Sequence, residues 1–298
     1  MIPSCPPPRT QLRRPKLSLP RGACDAMVHV FGPQARFPYM RDRKYDVPDA
    51  PLEDLWRLLD FLGFDRAVLV QASVHGVDNK AMIDALARGG GRLRGVALID
   101  ETFSEDDIAQ MNAAGVRGVR FNFVRLLGGP PPLSVFEHVV ETIRPFGWHI
   151  ALHVGGEELI EYGTLFERAD VPVVIEHMGR VDISGGLEQR SFRWMIDLAK
   201  TSGFWIKIDM GDRLSLQGPP YDDMVPFARA IVEAIPDRTI WGTDWPHPMY
   251  QAGKIMPDDG DLVDLLGRYV PDAELRHRIL VQNPQALYGF PEMRQADV

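Results

Sequence analysis

Residues 148–158 read WHIALHVGGEE, and this stretch decides the fold. Ile150, Ala151, Leu152 and Val154 run together with little polar alternation, as a strand buried on both faces requires. A pair of glycines then breaks the strand, and residues 157–170 (EELIEYGTLFERAD) carry apolar side chains at helical spacing. The unit is a strand, a sharp exit and a helix. Working outward, the same unit recurs. Strand candidates lie at 24–31, 66–71, 95–99, 115–121, 149–154, 171–176, 205–210 and 239–242. Helical patterns lie at 52–63, 79–90, 104–115, 134–147, 157–170, around 187–202, at 222–236 and at 258–270. Residues 104–107 (SEDD) offer an N-cap serine with acids in the first turn, and glycines close the helix before residue 90. Eight such units between residues 24 and 298 predict a single-domain (β/α)8 barrel, with a doubly wound open sheet as the alternative.

The bulk composition is that of an ordinary soluble protein: 298 residues, 45% hydrophobic and 25% charged. A net charge of −8 argues against nucleic acid or an anionic membrane as the main partner. No apolar run reaches membrane-spanning length. Two cysteines, Cys5 and Cys24, are too few for a disulfide framework, and the expected location is a reducing cytoplasm. Residues 1–22 are rich in proline and arginine and lack the apolar centre of an export signal. They read as a flexible or surface-draped, non-catalytic arm, leaving 23–298 for the barrel. Oligomeric state is left open. Long connections at 32–51 and 211–222 follow the first and seventh strands. Barrel chemistry sits at the C-terminal strand ends, so both are expected to border a site.

The strand ends carry the chemistry. The first ends in His29, within residues 25–32 (DAMVHVFG), and the second runs into Ser73. The fourth carries Arg120 and Asn122, then Arg125. The fifth and sixth end in His153 and His177, the seventh leads to Arg213, and the eighth to Asp244 within WGTDWPHP. Asp244 stands between an apolar strand and Trp245-Pro246, where a carboxylate is costly unless paired or functional, and it is placed to accept a proton from water. Its alternative role is a helix N-cap. His149 should lie at the barrel bottom, and His138 and His277 belong to amphipathic helices. Arg120 follows Val116 and Gly118 at period two and so faces inward. There it either pairs with an internal acid or binds a substrate carboxylate. Arg213 extends the second possibility, and Tyr45 and Ser73 offer neutral hydrogen bonds.

DAMVHVFG, LVQASVHGVDN, RGVRFNF, VIEHMGR, GDRL, WGTDWPHP and the closing NPQALYGF together resemble the amidohydrolase superfamily, in the group that contains 2-pyrone-4,6-dicarboxylate lactonase. The resemblance spans the chain from about residue 20. It implies a (β/α)8 barrel that hydrolyses a lactone of aromatic-acid breakdown without a divalent metal. By the same resemblance Asp244 is the general base, and His29 and His177 polarise or orient the carbonyl. Arg120 and Arg213 clamp carboxylates, with Tyr45 and Ser73 as neutral contacts. Three departures stand out. The superfamily pattern His-x-His on the first strand is here Met27-Val28-His29. The extra basic residue after RFNF is replaced by the run Val124-Arg125-Leu126-Leu127. A tyrosine near the end of the fifth strand is replaced by His153.

The first reading is therefore a metal-free hydrolase of an acidic lactone, with Met27 as a wall of the substrate pocket. His29, His153 and Asp244 would still offer three ligands to a divalent ion, although the thioether of Met27 suits such an ion poorly. Other readings are a lactone isomerase acting on a sugar-acid lactone, a metal-dependent hydrolase or decarboxylase of an aromatic acid, and a barrel that only binds acids.

Overall fold

The computed structural model describes residues 2–250 and 255–293. Eight parallel strands follow one another in sequence order: β1 Cys24–Val28, β2 Arg66–Val70, β3 Leu93–Ala97, β4 Val116–Asn122, β5 His149–His153, β6 Val173–Ile175, β7 Trp205–Lys207 and β8 Thr239–Ile240. The sheet curls back on itself. The Ala26 amide donates to the Trp241 carbonyl at 2.9 Å, Asp244 to Met27 at 2.8 Å, and His29 to Trp245 at 2.8 Å. At this seam Gly242 is required, because a Cβ there would stand 2.4 Å from the Cβ of Met27. The result is the (β/α)8 barrel expected from the eight repeated units.

The helices of the outer ring are α1 Leu52–Leu62, α2 Lys80–Arg88, α3 Glu105–Ala114, α4 Leu133–Ile143, α5 Gly156–Glu167 and α6 Arg190–Thr201. They continue with a single turn, α7 Gly211–Leu214, then α8 Val225–Ala234, α9 Asp259–Tyr269, α10 Ala273–His277 and α11 Asn283–Tyr288. In α1, Leu52, Leu55, Leu58, Leu59 and Leu62 are buried, one apolar stripe turned to the sheet. Ser104 caps α3 in a reciprocal pair with Asp107, as the SEDD motif led one to expect.

Two apolar layers result. The larger fills the space between sheet and helices. The smaller lies inside the barrel, built from Cys24, Met27, Val68, Val70, Val96, Ala151, Val174 and Ile240 and closed below by Tyr288 and Phe290. His149 belongs to this floor, its ring edge-on to Tyr288 at 5.2 Å. Gly118 makes room for it, since a Cβ there would meet the imidazole at 2.4 Å. A register shift between β3 and β4 turns Val116 outward into the larger layer, so the inward series of β4 begins at Gly118 rather than at Val116. His138 and His277 are exposed.

The N-terminal segment is draped on the barrel rather than free. The Arg13 amide donates to Asp258 at 3.0 Å, and the amides of Lys16 and Leu17 share Oδ1 of Asp264 at 2.7 and 3.0 Å. Met1, 251–254 and 294–298, which the two sequence-derived segments include, lie outside the described residues. Among the described residues no helix is long and apolar enough to cross a membrane.

Candidate active site

A cavity of about 190 Å³ opens at the C-terminal ends of the strands. Its lining includes His29, Tyr45, Ser73, Arg120, Asn122, His153, His177, Arg213 and Asp244. Nine side chains singled out in the sequence, from loops and strands far apart in the chain, thus reach one space. Both long connections contribute: 32–51 through Tyr45 and 211–222 through Arg213.

Two expected residues do not reach it. Met27 lies two residues before His29, about 6.6 Å lower along the strand. It is fully buried in the barrel interior, with its sulfur 3.3 Å from Nζ of Lys207. It is a floor element below the cavity, not a wall of it. Arg125 follows the end of β4 into a short 3-10 turn that carries it outward. Its side chain is 75% exposed and pairs with Glu158 at 3.5 Å and Glu161 at 3.3 Å on α5.

Asp244 is held in the left-handed region at φ 65°. His177, Met178, Arg180, Met210, His247 and Met249 are in the same region, all at or beside the mouth. Non-glycine residues of this kind cost about 1–3 kcal/mol each and persist where the surroundings over-determine them. Asp25 helps to do so at the seam: its carboxylate accepts from the amide and hydroxyl of Thr243 at 3.0 and 2.7 Å and from the Met27 amide at 3.2 Å. Burial nevertheless pushes Asp25 up to about 7.

One oxygen of Asp244 lies 3.1 Å from Nε2 of His29, and the other meets the guanidinium of Arg213. Nδ1 of His29 faces the Val70 carbonyl at 2.7 Å and so carries a proton. Burial, and then the charge of Arg120, press the ring towards its neutral form, down to about 3. A neutral ring would turn a bare lone pair on the carboxylate, so the 3.1 Å contact is a hydrogen bond only when the pair shares one proton.

The other arginines rest on imidazoles. Arg120 donates through Nη2 to Nε2 of His177 at 3.3 Å, and Arg180 through Nη1 to Nε2 of His153 at 3.5 Å. A guanidinium cannot accept, so both rings act as acceptors here. Nδ1 of His177 points to Asp209, 3.2 Å away. Burial, aided by the surrounding arginines, keeps both rings well below the ordinary imidazole range and hence uncharged. Behind Arg120, Glu176 accepts from Nε at 2.7 Å, and its other oxygen takes Nζ of Lys207 at 3.3 Å. Burial alone would raise Glu176, but Arg120 and Lys207 hold it well below the usual carboxylate range. Of the two possibilities for Arg120, the structure contains the internal acid and still leaves the guanidinium on the cavity wall. The Ser73 hydroxyl donates to that of Tyr45 at 3.2 Å, and both line the cavity.

Arg180 also lines the cavity, with Met210 and Tyr250, and Lys207, Glu176 and Asp209 are buried ionisable groups among the residues that support it. Sequence reasoning passed over these. The signals were present: Arg180 lies three residues after His177 in a glycine exit, and Lys207 and Asp209 alternate with apolar residues in WIKIDM. No set of three or more His, Cys, Asp or Glu side chains converges as a metal cage among the described residues. His29 and Asp244 are adjacent, but His153 is engaged with Arg180, and Met27 faces an ammonium. His153, Met27 and Asp244 are thus each engaged with a cationic side chain.

The model of the amidohydrolase family matches residues 24–290. A 4-sulfomuconolactone hydrolase from Rhizobium radiobacter is 43% identical over 97% of this chain and 97% of its own length. A 2-pyrone-4,6-dicarboxylate hydrolase from Comamonas testosteroni is 42% identical over 94% and 93%. The crystal structure of a probable 2-pyrone-4,6-dicarboxylic acid hydrolase from Acinetobacter baumannii, with citric acid bound, is 26% identical. It superposes with a TM-score of 0.78 over 90% of this chain and 100% of that one. With a barrel of eight sequential parallel strands, its polar cavity at their C-terminal ends and a family match spanning every strand, this chain belongs to the amidohydrolase family.

Proposed function

We propose that this protein is a hydrolase that opens a small lactone bearing carboxylate or sulfonate substituents, in the catabolism of aromatic acids. The observation that carries the reading is one buried carboxylate, Asp244, in a cavity walled by three guanidiniums, Arg120, Arg180 and Arg213. Three guanidiniums on one small cavity offer an anion charge-assisted hydrogen bonds although the whole protein is acidic. The cavity suits a small molecule rather than a polymer. The two relatives above 40% identity are named hydrolases of lactones or pyrones with acidic groups.

In the proposed reaction, water attacks the lactone carbonyl carbon. Asp244 takes the water proton, the ring C–O bond breaks, and the leaving ring oxygen receives a proton from the Asp244–His29 pair. Arg213 covers one oxygen of Asp244 in the free protein. An anionic substituent drawing Arg213 to itself uncovers the base, so substrate binding and base activation are linked. Arg120, fixed from behind by Glu176 and His177, donates to the carbonyl oxygen as it gains charge. Arg180 and Arg213 hold the anionic groups; Tyr45, Ser73 and Asn122 add neutral contacts. His153 and His177 orient guanidiniums. No step is assigned to a metal. The two buried free thiols suit a cytoplasmic location.

The test is turnover of 2-pyrone-4,6-dicarboxylate and of 4-sulfomuconolactone by the purified, chelator-treated protein in 18O-labelled water. The expected result is ring opening of at least one, with one labelled oxygen per product. Turnover without label would support an isomerase instead. Turnover restricted to uncharged lactones would overturn the reading.

A further inference from the structure

We infer that the N-terminal arm is a strap that positions the substrate cavity, with Cys5 as a positioning residue. The sequence gives residues 1–22 no role, yet their first turns reach two of the loops that line the site. Pro3 to Cys5 pair with the loop after β1: the Cys5 amide donates to the Asp46 carbonyl at 2.8 Å, and the Asp46 amide donates to the Pro3 carbonyl at 2.8 Å. Asp46 directly follows Tyr45, which lines the cavity. On its other side Cys5 meets the loop after β8, where its sulfur accepts from the Met249 amide at 3.1 Å. Met249 lies between Pro248 and Tyr250, and all three line the cavity. Cys5 is only 7% exposed and belongs to the main apolar layer.

One short segment therefore joins the Tyr45 side of the mouth to the side that carries Pro248, whose carbonyl in turn accepts from Arg213 at 2.6 Å. Met249 sits at φ 63°, a conformation that its surroundings must enforce, and its amide is satisfied by the Cys5 sulfur. The arm is anchored further along by α9. Arg9 pairs with Asp258 at 3.6 Å, and Asp264 takes the amides of Lys16 and Leu17. None of these contacts involves a barrel strand, so the strap acts on the mouth rather than on the barrel.

The kinetic part of the test rests on the lactone-hydrolase reading; the exchange part does not. The full-length protein is compared with a variant lacking residues 2–6, with Cys5→Ala, which removes the sulfur acceptor, and with Cys5→Ser, which restores an acceptor. Hydrogen exchange is followed at residues 45–50 and 245–250. The expected result is a loss of protection at least tenfold in both loops for the deletion and near Met249 for Cys5→Ala. The serine variant should recover most of it, and the barrel strands should stay unchanged. With a substrate in hand, KM should rise about tenfold in the deletion while kcat changes less than threefold. Unchanged protection in both loops, or protection lost equally throughout the barrel, would overturn the strap. So would alanine and serine variants that behave alike. If the intact protein opens no lactone, the functional reading fails and the exchange result still decides the strap.

Discussion

Nε2 of His29 and Oδ1 of Asp244 lie 3.1 Å apart, while Nδ1 of the same ring is committed to the Val70 carbonyl. With Nδ1 protonated and the ring neutral, Nε2 offers only its lone pair to the carboxylate, so the pair is placed to take up a proton and hold it between them. Asp244→Asn removes the base and keeps the volume. It is expected to lower kcat by about 10²–10⁴-fold, with a folded barrel by circular dichroism. Turnover at the wild-type rate would sink the general-base assignment.

Arg120 and Arg180 should separate by role. Loss of a charge-assisted hydrogen bond costs about 1.5–3 kcal/mol, or roughly 10–150-fold. Arg180→Met is expected to raise KM by that factor and leave kcat nearly unchanged. Arg120→Met should lower kcat as well, because its bond strengthens in the transition state. Steady-state kinetics on one anionic lactone decides this, and equal effects on KM alone would remove Arg120 from the chemistry.

Lys207 and Met27 carry the next expectation. The ammonium is fully buried, with Glu176 and the thioether as partners. Lys207→Met leaves Glu176 one cation short and is expected to cost about 3–5 kcal/mol, since breaking a buried pair strands a charge. Lys207→Met combined with Glu176→Gln should regain much of that stability in denaturant titrations. KM should stay raised, because Arg120 has lost its anchor. Met27→His places an imidazole beside the same ammonium and is expected to recruit no zinc. Stoichiometric zinc in that variant by elemental analysis, with Lys207 intact, would contradict the geometry.

Stability should fall on acidification. His29 and His149 are neutral when folded, down to about 3, and His153 and His177 shift the same way, in each case chiefly through burial. Their unfolded value is near 6.5, so their contribution is fully present above pH 6.5 and is lost as pH falls below it. Asp25 and Asp209, pushed up to about 7 by burial, act in the opposite sense. They favour the folded state more as pH falls from 7 towards 4. Four histidines outweigh two carboxylates, so unfolding takes up protons over this range. The melting temperature is expected to drop between pH 7 and pH 5. The drop should be smaller in His149→Gln, which lies on the barrel floor. A melting temperature that rises over the same interval would contradict the assigned burial.

Much of this molecule is local in origin. All eight strands lie where short Val- and Ile-rich runs announced them, because a strand covered on both faces must be apolar along its length. Their ends are less legible. Strand candidates 171–176 and 205–210 stop early, at Ile175 and Lys207, because the inward positions that follow, Glu176 and Asp209, turn to one another's partners at the mouth. β3 starts at Leu93, two residues before the candidate, where pairing with Ala67 recruits a segment that is less apolar.

The site divides along the same line. Chain chemistry alone determined the barrel, the strand-end histidines, the inward arginine of β4 and the lone carboxylate after β8, since each depends on period, spacing and the cost of burying charge. Tertiary structure decided which of them meet. It set Met27 a layer too low to touch the cavity and sent Arg125 outward to α5. It also added Arg180 from the sixth strand exit and tied the arm to the mouth through Cys5. The reason is physical. Periodicity tells a side chain whether to face in or out, but its height along the barrel and its partners across it depend on closure of the ring.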